Sequence, residues 1–538
     1  MRHGGQILID QLEIQGVDRV FCVPGESFLA ALDGLYDSRI ETIVGRQEGG
    51  VTMMAEAHGK LTGRPGVAFV TRGPGATNAS AGVHIALQDS TPMILFIGQV
   101  ATDQRDREAF QEVDYRQMFA PLAKWVAEID RTDRIPEYIS HAFHVAMSGR
   151  PGPVVLALPE DILSAAAEVE DAALACPARQ MVSEPAVAQI IDQLKAARNP
   201  MVIVGGGGWS AQAAKNLESF AAALGLPVGT SFRCQDYIDN CHPNYVGDVG
   251  IAPNPDLADL AMQADTILVI GARLGEMTSG GYTLFDIPNP SQKIIHVHAD
   301  PNEIGHVFRP EVGIACRSDE FLRVAAELTN GQNSTAPSKA RASYEQWQQP
   351  FQTPGAVKME QVITHLAQAM PEDAIITNGA GNYAGWLHRY YSYRSYRTQL
   401  APTSGSMGYG LPAAIAAKLA EPTKEVVCLA GDGCFQMTLQ EFGTAAQYGA
   451  KIIVIVVNNG VYGTIRMHQQ GAYPKRPSGT KLQNPDFAAL AQCYGCYGEH
   501  VHENKEFPAA LARARQANAS SIIELHVDPR AVSPRSAG

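Results

Sequence analysis

The chain has 538 residues, of which 45% are hydrophobic and 18% charged, so it is long enough for several globular domains with substantial cores. Its formal net charge is −13 and it has no long basic run, which argues against nucleic acid as a partner. No apolar stretch reaches the roughly 18 residues of a membrane span, no signal peptide opens the chain, and nine scattered cysteines fit a reducing compartment; we therefore expect a cytoplasmic protein without a membrane partner.

The first segment, residues 1–165, alternates helical patterns with short apolar runs. With helices between them, strands are predicted at 19–23, 67–70, 93–97 and 154–158. This alternation predicts a mainly parallel sheet with helices on both faces. A polar stretch at 166–185 follows and predicts a linker.

The second segment, residues 186–328, and the third, residues 350–530, repeat this pattern on either side of a polar linker at 330–338. Their apolar strands are predicted at 201–204, 266–270, 293–297, 426–430 and 451–457. Three segments of similar size predict an α/β protein with three doubly wound parallel-sheet domains. The pair Cys493 and Cys496 has no second cysteine pair at zinc spacing, so we expect it to be structural.

Polar residues follow two strands of the third segment where each strand ends. Gly431-Asp432-Gly433 follows the strand at 426–430, and Asn458-Asn459 follows the strand at 451–457. Because ligands bind at the carboxyl ends of parallel strands, we expect the acid and the amide to lie together. Carboxylate, amide and carbonyl oxygens suit Mg²⁺ on a diphosphate, and glycine N–H groups and a helix N-terminus suit the phosphates.

Two further patterns precede predicted helices. Glu48 follows a strand and begins a helix rich in small residues (53–59), where the helix dipole alone would also favour an acid. The glycine-rich loop at 401–410, which contains Gly405 and Met407, precedes a predicted helix at 411–420. Its simplest interpretation is a loop that leads into that helix.

The Gly-Asp-Gly and Asn-Asn signals, separated by residues 434–457, resemble the diphosphate-anchoring motif of thiamine-diphosphate-dependent enzymes. The resemblance covers nearly the whole chain and is closest to the large subunits of acetolactate synthases (acetohydroxyacid synthases), through strings such as 98–100, 109–113, 150–153 and 431–441. It implies three domains: a pyrimidine-binding domain in residues 1–165, a nucleotide-binding-like middle domain in 186–328, and a domain for thiamine diphosphate and Mg²⁺ in 350–530.

The resemblance implies that Glu48 is the activating acid. A carboxyl group hydrogen-bonded to the pyrimidine nitrogen N1′ favours the tautomer whose 4′-imino group removes the C2 proton of the cofactor. Family members usually carry Arg-His-Glu here, and Gln47 replaces the histidine. In the family this acid and the diphosphate motif belong to different subunits, which implies a homodimer or a dimer of dimers.

The other implied residues surround the cofactor and the substrate. The Gly405 carbonyl would accept from the 4′-amino group, and Met407 would bend the cofactor. The implied metal ligands are Asp432, Asn459 and the carbonyl of Val461. The implied diphosphate contacts are Gly433, Cys434, Gly463, Gly379 and Asn382. Gln111 and Lys124 are candidate catalytic groups with a structural role as the alternative, and the substrate-pocket candidates are Glu26, Phe110 and His468.

Departures from the family pattern leave the substrate and the middle domain open. His468 stands where acetolactate synthases usually place a tryptophan that selects the second keto acid. Residues 247–250 read Gly-Asp-Val-Gly where a flavin-binding motif reads Gly-Met-His-Gly, although 271–273 and 296–300 resemble nucleotide-facing parts. FAD, ADP and an empty middle domain therefore all stay open. The string at 473–484 also resembles benzaldehyde lyase.

We therefore predict a thiamine-diphosphate-dependent carboligase, a transferase or lyase that decarboxylates a 2-keto acid, with pyruvate as the first candidate, and adds the remainder to a second keto acid or an aldehyde. The alternative is a lyase of the benzaldehyde lyase or oxalyl-CoA decarboxylase type on the same cofactor. A non-catalytic regulatory paralogue is a third interpretation, against which the intact Glu48, Asp432 and Asn459 argue.

Overall fold

The computed structural model describes residues 1–535, and its framework is three six-stranded sheets, one in each predicted segment. Every strand pair within these three sheets is parallel. The predicted fold class of three doubly wound parallel sheets is confirmed. Within residues 1–535, no helix combines the length and the apolarity that crossing a membrane requires.

The first sheet is built from strands that alternate with helices. Its strands are β2 (Arg19–Cys22), β3 (Glu41–Val44), β4 (Gly66–Val70), β5 (Met93–Gln99), β6 (Trp125–Glu128) and β7 (Pro153–Pro159). Its helices are α1 (Gly4–Ile14), α2 (Leu29–Tyr36), α3 (Glu48–Thr62), α4 (Pro74–Asp89), α5 (Tyr115–Phe119), α6 (Ile135–Met147) and α7 (Glu160–Ser164). A separate short antiparallel pair consists of β1 (Arg2–His3) and β8 (Ala166–Ala167).

The middle sheet follows after the first predicted linker. Its strands are β9 (Pro200–Val204), β10 (Val228–Thr230), β11 (Tyr245–Asp248), β12 (Thr266–Ile270), β13 (Lys293–His298) and β14 (Val312–Ala315). Its helices are α8 (Glu184–Ala196), α9 (Ala211–Leu224), α10 (Pro255–Gln263) and α11 (Ser318–Leu328), and α12 (Ser338–Trp347) leads to the third sheet.

The third sheet contains the two polar turns of the diphosphate motif. Its strands are β15 (Ile375–Asn378), β16 (Gln399–Leu400), β17 (Val426–Gly431), β18 (Ile453–Asn458), β19 (Tyr497–Val501) and β20 (Ser521–His526). Its helices are α13 (Met359–Ala369), α14 (Ala384–Tyr390), α15 (Gly410–Ala420), α16 (Asp432–Phe435), α17 (Phe442–Gln447), α18 (Gly463–Ala472), α19 (Phe487–Cys493) and α20 (Phe507–Gln516).

The first and third sheets have the same topology. Their strand orders are β3-β2-β4-β5-β7-β6 and β16-β15-β17-β18-β20-β19, so the first two and the last two strands are exchanged in both. The middle sheet has the order β11-β10-β9-β12-β13-β14, which is the arrangement common in dinucleotide-binding sheets. The expected repetition of architecture therefore holds strictly for two of the three sheets.

The central strands are buried on both sides because their successive residues enter two different core layers. In β4, for example, Val67 and Phe69 pack into one hydrophobic cluster and Ala68 and Val70 into another. A parallel sheet that is covered on both faces needs such continuous apolar strands, which is why the short apolar runs of the sequence predict it.

Helices α3 and α15 join the first and third sheets in one core. Val51 and Met54 of α3 share a cluster with Leu411 and Ile415 of α15. On its other side α3 packs against α4, where a Cβ on Gly82 would lie 2.3 Å from the Thr52 hydroxyl oxygen. The small residues of these helices are therefore required by the close helix packing.

A buried polar network crosses the same contact. The hydroxyl groups of Thr91 and Tyr409 donate to the two carboxylate oxygens of Glu56, at 2.6 and 2.5 Å. Beside them Lys60 forms an ion pair with Asp89 at 2.7 Å, and Asp89 also accepts hydrogen bonds from the loop that precedes α15. The network thus ties the first domain to the glycine-rich loop at 401–410.

We expect Glu56→Gln to change how stability depends on pH. Burial, and then the charge of Asp89, raises the pKa of Glu56 from an ordinary value of 4.5 to about 7. The folded protein therefore binds this proton more tightly than the unfolded chain does. Protonation of Glu56 contributes fully to the free energy of unfolding below the unfolded pKa, and this contribution is lost as the pH rises through the folded pKa. Between about pH 5 and pH 8 the Tm of Glu56→Gln should therefore fall less than that of the wild type.

The matched control is Glu345→Gln, because Glu345 is exposed and pairs with Arg341 on the surface of α12. Its Tm should follow the wild-type pH profile. A wild-type profile for Glu56→Gln, measured by scanning calorimetry across the same range, would contradict the role given to Glu56.

Candidate active site

Strands β17 and β18 bring the two polar turns to one edge of the third sheet. They are parallel neighbours in which Gly431 pairs with Val457, so Asp432 and Asn458-Asn459 leave adjacent strand ends. Asp432 begins α16, and α18 begins shortly after the Asn pair, at Gly463. The acid, the amide and the start of a helix therefore lie together at the carboxyl edge of the sheet.

Asp432 is a buried carboxylate that is surrounded by neutral donors. One carboxylate oxygen accepts from the Gly433 N–H at 2.8 Å, and the other accepts from the Gly460 N–H and the Asn484 amide, both at 2.8 Å. Burial raises the pKa of Asp432, and these hydrogen bonds oppose the rise. Among residues 1–535 the carboxylate has no cationic side chain as a partner, so it suits a bound cation.

Asn459 and Val461 complete a set of oxygen atoms beside this carboxylate. The Asn459 side-chain oxygen accepts from the Val461 N–H at 3.1 Å, which turns the amide toward the same loop. Val461 also forms an isolated bridge with Lys481, which anchors the loop. A carboxylate, an amide oxygen and a main-chain carbonyl are the hard ligands that Mg²⁺ prefers, so these residues fit that metal.

A cavity of about 250 Å³ lies directly at this edge. All of the predicted cofactor and metal residues except Gly379 line it, namely Asn382, Gly405, Met407, Asp432, Gly433, Cys434, Asn459, Val461 and Gly463. The start of α18 faces it without a side-chain cap, which leaves the first N–H groups of that helix free to bind an anion. The structure thus brings oxygen ligands for a cation and N–H donors for an anion to one cavity.

Gly379 lies immediately behind the cavity wall. A Cβ on Gly379 would come within 2.5 Å of the Cys434 sulfur, so only glycine allows the two loops to approach. The sulfur itself accepts from the Tyr383 hydroxyl and the Gly408 N–H, both at 3.2 Å. Cys434 therefore uses its side chain for packing between the loops.

Arg233 of the middle domain reaches two of these loops and was not predicted from the sequence. Its guanidinium donates to the carbonyls of Pro402 and Gly379, at 2.5 and 2.7 Å. The side chain is buried, and burial lowers its pKa. It holds together the loop that contains Gly405 and the loop that follows β15.

Asn484 is a second residue that the sequence did not reveal. Its amide donates to Asp432 and to the side-chain oxygen of Asn458, both at 2.8 Å, and its own oxygen accepts from Gln436 at 2.8 Å. Asn484 precedes a proline, so its sequence pattern indicates only a turn. Its position shows that it orients the Asp432 carboxylate.

Four candidates from the first domain gather at the carboxyl end of β4, around the loop at 71–75. Glu48 accepts from the Asn78 amide at 2.9 Å and touches Gly75. Gln111 packs against Gly73, and the carbonyl of Phe110 accepts from Arg72 at 3.1 Å. Glu26 also accepts from Arg72, at 3.0 Å. Glu48, Gln111, Phe110 and Glu26 thus form one surface cluster.

This cluster does not line the cavity at Asp432, whose lining among residues 1–535 belongs to the third domain. Phe110 is 72% exposed. An aromatic side chain with that exposure lies in the same cluster as the partly exposed carboxylate of Glu48. Exposed apolar side chains of this kind are typical of binding surfaces.

The structure does not bring Lys124 or His468 to either group of residues. Lys124 precedes β6 and therefore lies at the amino edge of the first sheet, opposite the edge that carries Glu48. Its ammonium donates to the carbonyls of Val145 and Ser148, and burial lowers its pKa to about 8. His468 is exposed on α18 and does not line the cavity.

Two further cavities lie beside the middle sheet. One of about 540 Å³ is lined by the glycine loop at 206–208 that follows β9, and the other, of about 500 Å³, reaches from Arg273 to Gly405. They share Lys60 and Gly206 among their lining residues, so they adjoin each other. Gly206 has φ +67°, and a Cβ there would lie 1.9 Å from the Gly271 carbonyl, so the loop requires glycine.

Comparison with known protein families gives a consistent result for all three domains. Models of thiamine pyrophosphate enzymes match residues 2–118 as the N-terminal TPP binding domain, 187–324 as the central domain and 379–525 as the C-terminal TPP binding domain. The chain belongs to the thiamine pyrophosphate enzyme family. Thiamine diphosphate, the same compound, is therefore its cofactor class.

Curated relatives within this family are similar over almost the whole chain. The acetolactate synthase large subunit of Corynebacterium glutamicum is 33% identical over 97% of this chain and 86% of its own length. The acetolactate synthase isozyme 2 large subunit of Escherichia coli is 30% identical over 98% of this chain and 96% of its own length. The acetolactate synthase large subunit of Parasynechococcus marenigrum is 32% identical over 97% and 87%.

We expect Asn484→Ala to weaken cofactor binding without removing any predicted ligand. Loss of its amide leaves that Asp432 oxygen with only the Gly460 N–H as a donor among residues 1–535, and it removes the donor to the Asn458 side-chain oxygen. Residues that orient metal ligands typically contribute about 10- to 100-fold to metal affinity. We expect the affinity for thiamine diphosphate in the presence of Mg²⁺, measured by calorimetry, to fall by about the same factor. Gln483→Ala, at the exposed neighbouring position, should bind as the wild type does. Equal affinities for the two variants would refute the role of Asn484.

Proposed function

We propose that this protein is a carboligase of the acetolactate synthase type, which decarboxylates pyruvate and transfers the remaining two-carbon unit to a second carbonyl compound. The cavity that joins Asp432, Asn459 and the uncapped start of α18 to Gly405 and Met407 carries the proposal. Full-length similarity to acetolactate synthase large subunits supports it.

In this proposal the third domain holds the diphosphate. Asp432, Asn459 and the Val461 carbonyl would bind Mg²⁺, and the N–H groups at the start of α18 would bind phosphate oxygens, where the helix dipole favours negative charge. Gly460 and Asn484 keep the carboxylate of Asp432 in place through hydrogen bonds of 2.8 Å. The third domain therefore supplies position and charge compensation for the cofactor.

Thiamine diphosphate, when bound, supplies the nucleophilic carbon and the electron sink for decarboxylation. Met407 packs between the cavity and the core of the third domain and fills the space beside the cofactor with an apolar, adaptable side chain. Gly405 lines the cavity, and among residues 1–535 its carbonyl accepts no backbone hydrogen bond, so it is available to a ligand amino group.

Glu48 is proposed to share a proton with the pyrimidine nitrogen of the cofactor. Asn78 is its hydrogen-bond partner among residues 1–535, and its side chain is partly exposed, so the carboxyl group is free to meet a ligand. Because no residue of the first domain lines the cavity at Asp432, we propose that Glu48 of one chain completes the cavity of a second copy in a homodimer. The exposed Phe110 and the neighbouring Gln111 would then face the substrate from the same surface.

Glu48→Gln tests the reaction and the acid together. General acid–base groups typically contribute about 10²- to 10⁴-fold, so kcat with pyruvate should fall by at least about 100-fold while thiamine diphosphate binding is kept. The readouts are carbon dioxide release and acetolactate formation by the protein with Mg²⁺ and thiamine diphosphate. Glu41→Gln, in the exposed start of β3, should retain wild-type kcat.

The same assay separates the alternatives. Cleavage of benzoin, or decarboxylation of oxalyl-CoA, without turnover of pyruvate would replace the proposal with a lyase or decarboxylase. Absence of turnover with all of these substrates would leave a non-catalytic paralogue. Unchanged kcat in Glu48→Gln would refute the role of the acid even if acetolactate forms.

Mixed dimers test the composite cavity. Glu48→Gln and Asp432→Asn chains are each expected to be inactive alone. When equal amounts of the two variants are unfolded together and refolded, about half of the dimers should be mixed. A mixed dimer carries one intact cavity out of two, so about a quarter of wild-type activity should return. Activity that stays at the level of the separate variants would contradict the exchange of Glu48 between copies.

We propose further that the middle domain holds FAD. The adjoining cavities of about 540 and 500 Å³, the required glycine at 206 and the dinucleotide-type strand order support a dinucleotide at this sheet edge. Protein purified without added cofactors should show the visible flavin absorbance and release FAD on heat denaturation, as identified by chromatography. Release of ADP, or a colourless protein without nucleotide, would contradict the assignment.

A further inference from the structure

Three histidines converge at the carboxyl end of the last two strands of the third sheet. His500 lies in β19, His502 follows that strand, and His526 ends β20. One ring nitrogen from each lies within 4.8 Å of the other two. The closest pair, His500 Nδ1 and His526 Nε2, is 3.2 Å apart. None of these rings lines the cavity at Asp432.

Two carboxylates flank the rings. Asp486 lies 3.2 Å from His500 Nε2, the nitrogen that faces away from the other histidines. Glu524 is buried, and its two oxygens lie 3.6 Å from His500 Nδ1 and 3.8 Å from His526 Nε2. The Asn458 amide donates to Glu524 at 2.7 Å and keeps the carboxylate in this position. The cluster therefore combines three imidazoles with negative charge.

We propose that His500, His502 and His526 form a binding site for a divalent transition metal of the zinc class. Imidazole nitrogen is the ligand type that zinc, copper and nickel prefer, whereas the oxygen ligands around Asp432 suit magnesium. Three protein nitrogens leave a fourth position for water in a tetrahedral site. This site is separate from the cofactor cavity and does not depend on the reaction that we propose.

The spacing of the first two ligands supports coordination. Zn–N bonds of about 2.0 Å at tetrahedral angles separate two ligand nitrogens by about 3.3 Å, close to the 3.2 Å between His500 Nδ1 and His526 Nε2. Two neutral rings at that distance share one N–H, while a metal ion accepts both lone pairs.

Asp486 supplies the outer partner that metal-binding histidines usually have. It is placed to accept the proton of His500 Nε2, which leaves Nδ1 as the free lone pair that faces His526. A carboxylate on the far nitrogen fixes the tautomer and orients the ring. Asp486 is therefore a positioning residue in this proposal and does not touch the metal.

His502 must turn to become the third ligand. Its ring stacks on that of His526 with centroids 4.2 Å apart and an interplanar angle of 14°, so its lone pairs do not point to the position between the other two nitrogens. The side chain is exposed, and within residues 1–535 its ring makes no hydrogen bond, so a rotation meets little resistance. Metal binding should therefore separate the stacked rings.

The test uses the full-length protein without a histidine tag, stripped with a chelator and titrated with zinc chloride in the presence of Mg²⁺. Calorimetry should detect one tight zinc equivalent per chain. His502→Gln and His526→Gln should each weaken that equivalent by at least about tenfold, and Asp486→Asn by about 10- to 100-fold. A zinc anomalous peak between the three rings in a crystal would locate the ion.

Two control variants make the result specific. His141→Gln removes an exposed histidine of the first domain, and the double variant Cys493→Ser/Cys496→Ser removes the cysteine pair that precedes β19. Both should keep the tight zinc equivalent. The proposal is overturned if no tight equivalent exists, if both histidine variants bind zinc as the wild type does, or if the cysteine variant loses it.

Discussion

The parallel register of β17 and β18 places a buried carboxylate next to an amide, and the geometry of the cofactor cavity follows from that pair. Asp432 is only 3% exposed and has neutral donors as its partners, an arrangement that is costly for a charged group unless a cation joins it. The loops around it provide the complementary parts, with uncapped N–H groups at the start of α18 on one side and Gly405 and Met407 on the other. The cavity is thus built for a ligand that combines a cation with phosphate.

The loop that carries Gly405 and Met407 is held by residues of the first and middle domains. Lys60 and Asp89 of the first domain bind the loop at 401–403, and Arg233 of the middle domain donates to the carbonyl of Pro402 in the same loop. These contacts are buried or partly buried, and breaking a buried one leaves a polar group without a partner, at about 1–3 kcal/mol. The loop is therefore held rigidly although it belongs to no strand or helix.

Much of the fold and of the third-domain cavity could be predicted because the signals are local. The apolar run predicted at 67–70 is part of β4, and the run at 426–430 is part of β17, since a strand that is buried on both faces must be continuously apolar. The strand predicted at 451–457 begins two residues later, at Ile453, after the turn that ends α17. Strand ends carry polar turns, so the neighbourhood of Asp432 and Asn459 could be inferred from spacing and family resemblance together.

By itself, the sequence determined the α/β class, the three parallel sheets and the family of the chain, because periodicity, glycine turns and motifs act over short stretches. Only the tertiary structure decided which distant residues meet. Arg233 and Asn484 reach the residues around the cavity from segments far along the chain, and Lys124 lies at the sheet edge opposite Glu48. Three histidines in or next to β19 and β20 converge. The physical reason is that these contacts depend on strand order and on which edge of a sheet a residue reaches, and no local pattern encodes either.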